Sequence, residues 1–315
     1  MSTLREIKID KPSLRDLEIG DALVLPRRSY LVTGMASGGM GTVIFGKLDR
    51  SKENGSISAL PNPIALKFSH DPACFVESEL SKWALLSHER INPLCEILAS
   101  ENDGLVAASL QCSGSVRDLL SRHGRLSERC AYSIVRSCAE GLAFAEEEHD
   151  IHHLDVKPDN LLFQEAGKSP EEFRYSVTDW GISSEKTRGS EATECDSEGN
   201  PLSANNAGTL PYMAPERFIP GTPSSRESDI YGLGMTWLEL LTGTLPFIPG
   251  RSLGRQIADS SYFAVADAHM KQFRLSRRMA NAIRKSIHPE KNLRTGSWKE
   301  FLDEIRPGLI KRLFT

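Results

Sequence analysis

The run Ala36-Ser37-Gly38-Gly39-Met40-Gly41-Thr42-Val43 strips side chains from one short stretch of chain. Without Cβ atoms, backbone N–H groups can come close to phosphate oxygens. Further on, Ile64-Ala65-Leu66-Lys67 ends an apolar alternation on a lysine, a group able to neutralise phosphate charge. Phosphoryl transfer asks for little covalent help from protein. The triphosphate must be cradled, its charge neutralised by metal and lysine, and an acceptor hydroxyl placed in line. Alone, each signal is weak: a glycine-rich hairpin turn has the same texture, and a lone strand lysine is ordinarily a solvated edge residue.

The elements that must position these residues can be read from pattern. Tyr30-Leu31-Val32 and Thr42-Val43-Ile44-Phe45 are strand-like on either side of the glycines, which makes a hairpin with a bare tip. Asp49 to Pro63 is a polar loop, and Ile64 to Phe68 a third strand. Residues 1–28, mixed and charged up to Pro26-Arg27-Arg28, read as a lead-in segment. Helical texture begins near Cys74 and dominates from Val116. Ala131, Ile134, Val135, Cys138, Leu142 and Ala145 recur at three and four, the stripe of a half-buried helix. Asp229 to Leu241 is apolar nearly all round and stops at Gly243, which describes a helix buried in a core. Trp298, Phe301, Leu302 and Ile305 form one more amphipathic face, and the polar stretch from Ser183 to Ala207 reads as a mobile loop.

Composition bounds the function. The chain has 315 residues, 39% hydrophobic and 25% charged, with a formal net charge of -4, which is ordinary globular material. It carries no basic stripe of the kind that binds nucleic acid. Cys74, Cys95, Cys112, Cys130, Cys138 and Cys195 form no CxxC pair and have no histidines at zinc spacing, so thiols in a reducing compartment are expected. The first residues lack the apolar stretch of a signal peptide, and no apolar run approaches the ~20 residues needed to span a bilayer. A cytoplasmic location without membrane attachment is the expectation; oligomeric state is silent.

Downstream motifs then arrive in order. His153-Leu154-Asp155-Val156-Lys157-Pro158-Asp159-Asn160 resembles the catalytic loop of the eukaryotic-type (Hanks-type) Ser/Thr protein kinase family, and Asp179-Trp180-Gly181 its metal-binding Asp-Phe-Gly. Gly208 to Glu216 is similar to the segment ending in Ala-Pro-Glu, Asp229 to Gly234 to the start of the central buried helix, and Arg294 to the arginine that pairs with that glutamate, here Glu216. The resemblance covers roughly residues 30 to 305. It implies an α+β, bilobal protein-kinase fold: a small antiparallel β N-lobe with one helix and hinge over 29–112, and a larger α-helical C-lobe over 113–315 with an activation segment at 179–216. Ser37 to Thr42 resembles the bacterial members.

The resemblance also implies roles. ATP and Mg²⁺ would be used, and Ser or Thr hydroxyls of protein substrates phosphorylated. Asp155 would accept or orient the hydroxyl proton, and Lys67 would hold the α- and β-phosphates, oriented by a helix carboxylate. Glu79 is preferred to Glu77 for that carboxylate, from its spacing to His88-Glu89-Arg90-Ile91. Asn160 and Asp179 offer the hard oxygen donors that suit Mg²⁺. Lys157 resembles the lysine that Ser/Thr kinases set against the γ-phosphate, and with Thr209 favours Ser/Thr specificity. Ala36, Gly38, Gly39 and Gly41 would form the cradle, and Met35, Val43, Ala65 and Leu162 an apolar adenine slot backed by Ala108, with Ser109 to Cys112 as hinge.

Three departures from the family pattern matter. Ala36 replaces the first cradle glycine. Leu154 replaces an arginine that in the family pairs with activation-loop phosphate, so activity should not hinge on one such phosphate acting there, unless a neighbouring basic residue substitutes. Ser183, Ser184, Thr187, Ser190, Thr193, Ser197 and Ser203 remain candidate autophosphorylation sites. Trp180 replaces a phenylalanine and is expected to pack with Trp83 and His153. Two other readings compete: a pseudokinase, against which Lys67, Asp155, Asn160 and Asp179 are all present, and a small-molecule kinase, against which Lys157, Gly208-Thr209 and Ala214-Pro215-Glu216 stand.

Overall fold

The computed structural model describes residues 5–25, 28–38, 41–49, 60–70, 77–180, 210–219 and 225–306, without the side chains of Ser78 and Glu79. Gly39, Gly181, Thr209 and the candidate autophosphorylation sites lie outside these residues. The chain forms two compact units, Met1–Cys112 with Thr178–Ser184, and Ser113–Val177 with Glu185–Thr315.

The first unit is built on seven strands: β1 (Arg5–Glu6), β2 (Ala22–Leu25), β3 (Arg28–Gly38), β4 (Gly41–Leu48), β5 (Ile64–Ser69), β6 (Leu94–Ser100) and β7 (Gly104–Leu110), with helix α1 (Glu77–Leu85) between β5 and β6. Their order in the sheet is β1-β6-β7-β5-β4-β3-β2. Alternation splits each strand between two faces. Tyr30, Val32, Ile44, Ile64, Leu66, Phe68, Val106 and Ala108 fill the core. The hairpin expected around the glycines is β3 and β4, paired out to Gly38 opposite Gly41. A Cβ at Gly41 would come within 2.3 Å of the Phe68 carbonyl oxygen, so the start of β4 can lie against β5 only with glycine there.

Of the expected lead-in over 1–28, the described residues 5–25 form part of the fold. Ile7, Leu14, Leu17, Leu23 and Leu25 are buried in the same core. The apolar positions are too sparse and irregular for either period, and only tertiary packing reveals them.

The second unit holds a three-stranded sheet, order β10-β9-β8, from β8 (Gly114–Ser115), β9 (Leu161–Gln164) and β10 (Arg174–Val177). Its helices are α2 (Val116–His123), α3 (Glu128–His149), α4 (Arg226–Thr242), α5 (Leu253–Ala258), α6 (Ser261–Gln272), α7 (Arg277–Ser286) and α8 (Trp298–Ile305). The stripe read on α3 is buried, and α4 is buried from Ser228 to Thr242 before ending at Gly243 with φ 76°. A helix with apolar groups all round has no face for water, so others must pack on every side. Trp298, Phe301 and Ile305 of α8 are buried as expected, while Leu302 is half-exposed. No helix among the described residues is long and apolar enough to cross a membrane.

Candidate active site

In the first unit, cross-strand register decides which residues share a face. Val43 stands opposite Ala36 and Lys67, and Phe45 opposite Ala65. Lys67 and Ala65 in turn face Ala107 and Ser109 on β7. Ala36, Val43, Ala65 and Lys67 therefore lie on one side of the sheet, together with Ser109, expected in the hinge, and with Phe45 and Ala107, which sequence reading had not selected. Met35 does not join them. It stands opposite Ile44 and packs against the core, on the other face. Ala108, taken for the back of the adenine slot, likewise opposes Leu66 and is fully buried in the core. A period of two makes an error of one residue a change of face.

Lys67 donates from Nζ to Asp179 Oδ2 in a half-buried ion pair. Asp179 is 7% exposed, and its Oδ1 is buried without a hydrogen-bond partner among the described residues. A buried carboxylate oxygen left so is costly unless a cation completes it. Asp179 also holds φ 75°, a left-handed conformation that aspartate tolerates at some cost. The side chain of Glu79 lies outside the described residues, and Glu77 is exposed, as a solvated helix face should be. Trp83 and Trp180 are both buried, at 2% and 4% exposure, and Trp83 Nε1 donates to the Asn92 carbonyl at 2.8 Å.

In the second unit, the loop before β9 gathers three expected residues around one carboxylate. Asp155 is 4% exposed. Its Oδ2 accepts from Lys157 Nζ at 2.9 Å and from Asn160 Nδ2 at 3.1 Å. Asn160 Nδ2 also donates to the Asp155 carbonyl, so its amide oxygen is the group left to meet a cation. Leu162 stands on β9, half-buried.

Side chains that sequence reading missed hold this loop. Asp229, near the start of α4, accepts from the backbone N–H of His153 at 2.8 Å and of Leu154 at 2.6 Å. Burial pushes the Asp229 carboxyl up, while the His153 ring and the two N–H groups pull it down. Its position, an acidic residue opening an otherwise apolar helix, was the available signal. Arg217 donates from Nη1 to the Leu154 carbonyl at 3.0 Å, so a basic neighbour of Leu154 grips its backbone. Leu154 itself is buried with φ 64°. His153 Nδ1 accepts the Asp155 N–H at 3.2 Å. Gly232 on α4 lets the loop lie close, since a Cβ there would meet the Val156 carbonyl at 2.9 Å. The expected Arg294–Glu216 pair is present as a fork, 2.8 Å at each nitrogen, with the arginine fully buried over the Tyr231 ring. Arg117 of α2 binds Glu239 and Tyr212 at 2.7 and 2.6 Å, and so ties residues 210–212 to α4.

A carboxylate held by lysine and asparagine, and a second one paired with a strand lysine behind a glycine hairpin, are the parts that the sequence motifs required. The protein kinase domain family model matches residues 34–304. The chain belongs to the protein kinase domain family. It is 32% identical over 206 residues to mitogen-activated protein kinase kinase 1 of Arabidopsis thaliana, covering 62% of this chain and 53% of that protein. It is 30% identical over 205 residues to a calcium/calmodulin-dependent protein kinase kinase of Caenorhabditis elegans, covering 63% and 33%. This kinase-family chain thus spans about half or less of those relatives' lengths. The crystal structure of Rad53 1–466 in complex with AMP-PNP superposes with a TM-score of 0.64 over 90% of this chain and 76% of that one, at 19% identity. That likeness shows the protein-kinase fold, with its strand-rich N-lobe and helical C-lobe. The resemblance of Ser37 to Thr42 to bacterial members is not borne out; the matching relatives just named are plant and animal proteins.

Proposed function

We propose that this kinase domain transfers the γ-phosphoryl of ATP to Ser and Thr hydroxyls of protein substrates, its own activation segment included. The observation that carries the reading is the arrangement at Asp155, a buried carboxylate fixed by Lys157 and Asn160 two and five residues on. Such a carboxylate can accept or orient a hydroxyl proton, and the adjacent ammonium can meet phosphate charge. Family membership supports ATP as donor, and the related Rad53 structure holds AMP-PNP. Asp179 Oδ1 in the first unit and the Asn160 amide oxygen in the second are each a hard oxygen donor of the kind Mg²⁺ prefers. When bound, the metal would neutralise phosphate charge. Lys67 would bind the phosphates, and Gly38, with nothing within 4 Å of a built Cβ, leaves their approach open. Lys157 favours Ser/Thr over Tyr. A reducing, cytoplasmic setting accords with the cysteine pattern and remains part of the proposal.

Phosphosite mapping after incubation with Mg-ATP tests this. New phosphoserine and phosphothreonine should appear on a generic basic protein and between residues 183 and 203. Asp155→Ala and Lys67→Met should abolish both. Phosphotyrosine as the main product would overturn the specificity, and product formation indifferent to both substitutions would overturn the site.

A further inference from the structure

The segment ahead of the family match is joined to the glycine hairpin, and its connections suggest a purpose. Arg5 and Glu6 pair with Leu98 and Ala99 of β6 at one edge of the sheet. Two residues on, Lys8 exchanges both backbone bonds with Val24 of β2, at the other edge, at 2.9 and 3.0 Å. One short stretch therefore links the two sides of the sheet, at Leu98 and Ala99 on β6 and at Val24 on β2. Side chains fasten the next turn of chain, Pro12 to Leu14. Asp103, 1% exposed, accepts from Ser13 Oγ at 2.5 Å, from the Leu14 N–H at 2.9 Å and from Ser100 Oγ at 2.7 Å. Asn102 Nδ2 donates to the Pro12 carbonyl at 2.6 Å.

This anchoring presents Arg15 to the end of β5, where its Nη2 donates to the Ser69 carbonyl at 3.3 Å and the His70 carbonyl at 2.7 Å. Those carbonyls stand two and three residues beyond Lys67. The His70 ring continues the chain of contacts: Nε2 lies 3.1 Å from Thr42 Oγ1, and Thr42 Oγ1 lies 2.8 Å from Ser37 Oγ. Ser37 and Thr42 face each other across the hairpin, flanking Gly38 and Gly41. Through the backbone and ring of His70, Arg15 is thus connected to both strands of the cradle.

We propose that residues 5–25 are a strap that positions the nucleotide cradle, acting through Arg15, His70 and Thr42. The proposal rests on reading the hairpin as a phosphate cradle. A glycine hairpin has few side chains to hold its tip at one height above β5, and backbone N–H groups reward phosphate only when they are already aimed. The strap supplies an external brace made of this chain's own residues.

The test uses the full chain and AMP-PNP with Mg²⁺, with affinity measured by calorimetry and KM against kcat by phosphoryl transfer. Arg15→Met and Thr42→Val should each weaken AMP-PNP binding about fivefold, part of the worth of one hydrogen bond, and raise KM for ATP while kcat holds. Arg15→Lys should recover some of the affinity, since an ammonium can reach one carbonyl. Arg5→Gln, at the far end of the strap, should leave affinity unchanged. If Arg15→Met and Thr42→Val lower Tm but bind AMP-PNP as the unaltered chain does, the strap only braces the fold and the proposal is wrong. An unaltered chain that binds no nucleotide would overturn the cradle reading itself, and the strap with it.

Discussion

Two carboxylates carry the proposed chemistry at the residue scale, and each is fixed by what surrounds it. Asp179 shares one oxygen with Lys67 and has the other buried without a hydrogen-bond partner among the described residues. Asp155 is held at its side chain by Lys157 and Asn160, and at its backbone by His153. The grip on Leu154 is less direct and more informative. Asp229 takes its N–H, Arg217 takes its carbonyl, and the peptide that carries Asp155 is thereby set. A side chain that acts by aiming another should change turnover more than binding. Arg217→Met should lower kcat about tenfold with KM for ATP unchanged, in line with the loss of a charge-assisted hydrogen bond. Arg217→Lys should recover part of that. Steady-state kinetics on the two variants checks it, and a rise in KM with kcat intact would refute the positioning role.

At the scale of elements, α4 organises the second unit. It supplies Asp229 to the loop that carries Asp155, a close approach at Gly232, and Glu239 to the Arg117–Tyr212 cluster. The helical turn at Pro215–Phe218 is tied to the far end of the chain by Glu216 and Arg294. Burial alone would raise the Glu216 carboxyl, but the Arg294 fork overrides it and holds the group below its ordinary range. A depressed folded value means that the pair contributes stability above the unfolded carboxylate value, near 4.3, and loses it as pH falls through the folded value. Glu216→Gln leaves a buried, unpaired guanidinium, which should cost about 3–5 kcal/mol at pH 7. Thermal melts of both forms from pH 7 to 3 should show the gap in Tm closing on acidification. A gap independent of pH would mean that shape, rather than charge, makes the contact.

For the whole molecule, nucleotide and metal should act as structural ligands as well as reactants. At a hundred times its Kd, Mg-ATP analogue should add about 2.7 kcal/mol of stability and raise Tm by a few degrees. EDTA, or Asp179→Asn, should remove the metal-dependent part of that rise; an unchanged increment in Asp179→Asn would displace the metal from this carboxylate. What the sequence determined alone is the inventory. Lys67, Asp155, Lys157, Asn160 and Asp179 were named because the motifs that hold them resemble, in order along the chain, those of the protein kinase family. The α3 stripe followed from a period of 3.6, and the buried α4 from apolar residues nearly all round a segment that stops at Gly243. Tertiary structure decided the rest. Cross-strand register turned Met35 and Ala108 into the core and brought Ser109 to the face of Lys67, since alternation states that neighbours diverge and never which of them points inward. Asp229 and Arg217 became visible as clamps only when folding set them beside the catalytic loop. Residues 5–25 read as a lead-in because their partners, at 69–70 and 96–103, lie far along the chain, and contacts between distant segments leave no period for a sequence to display.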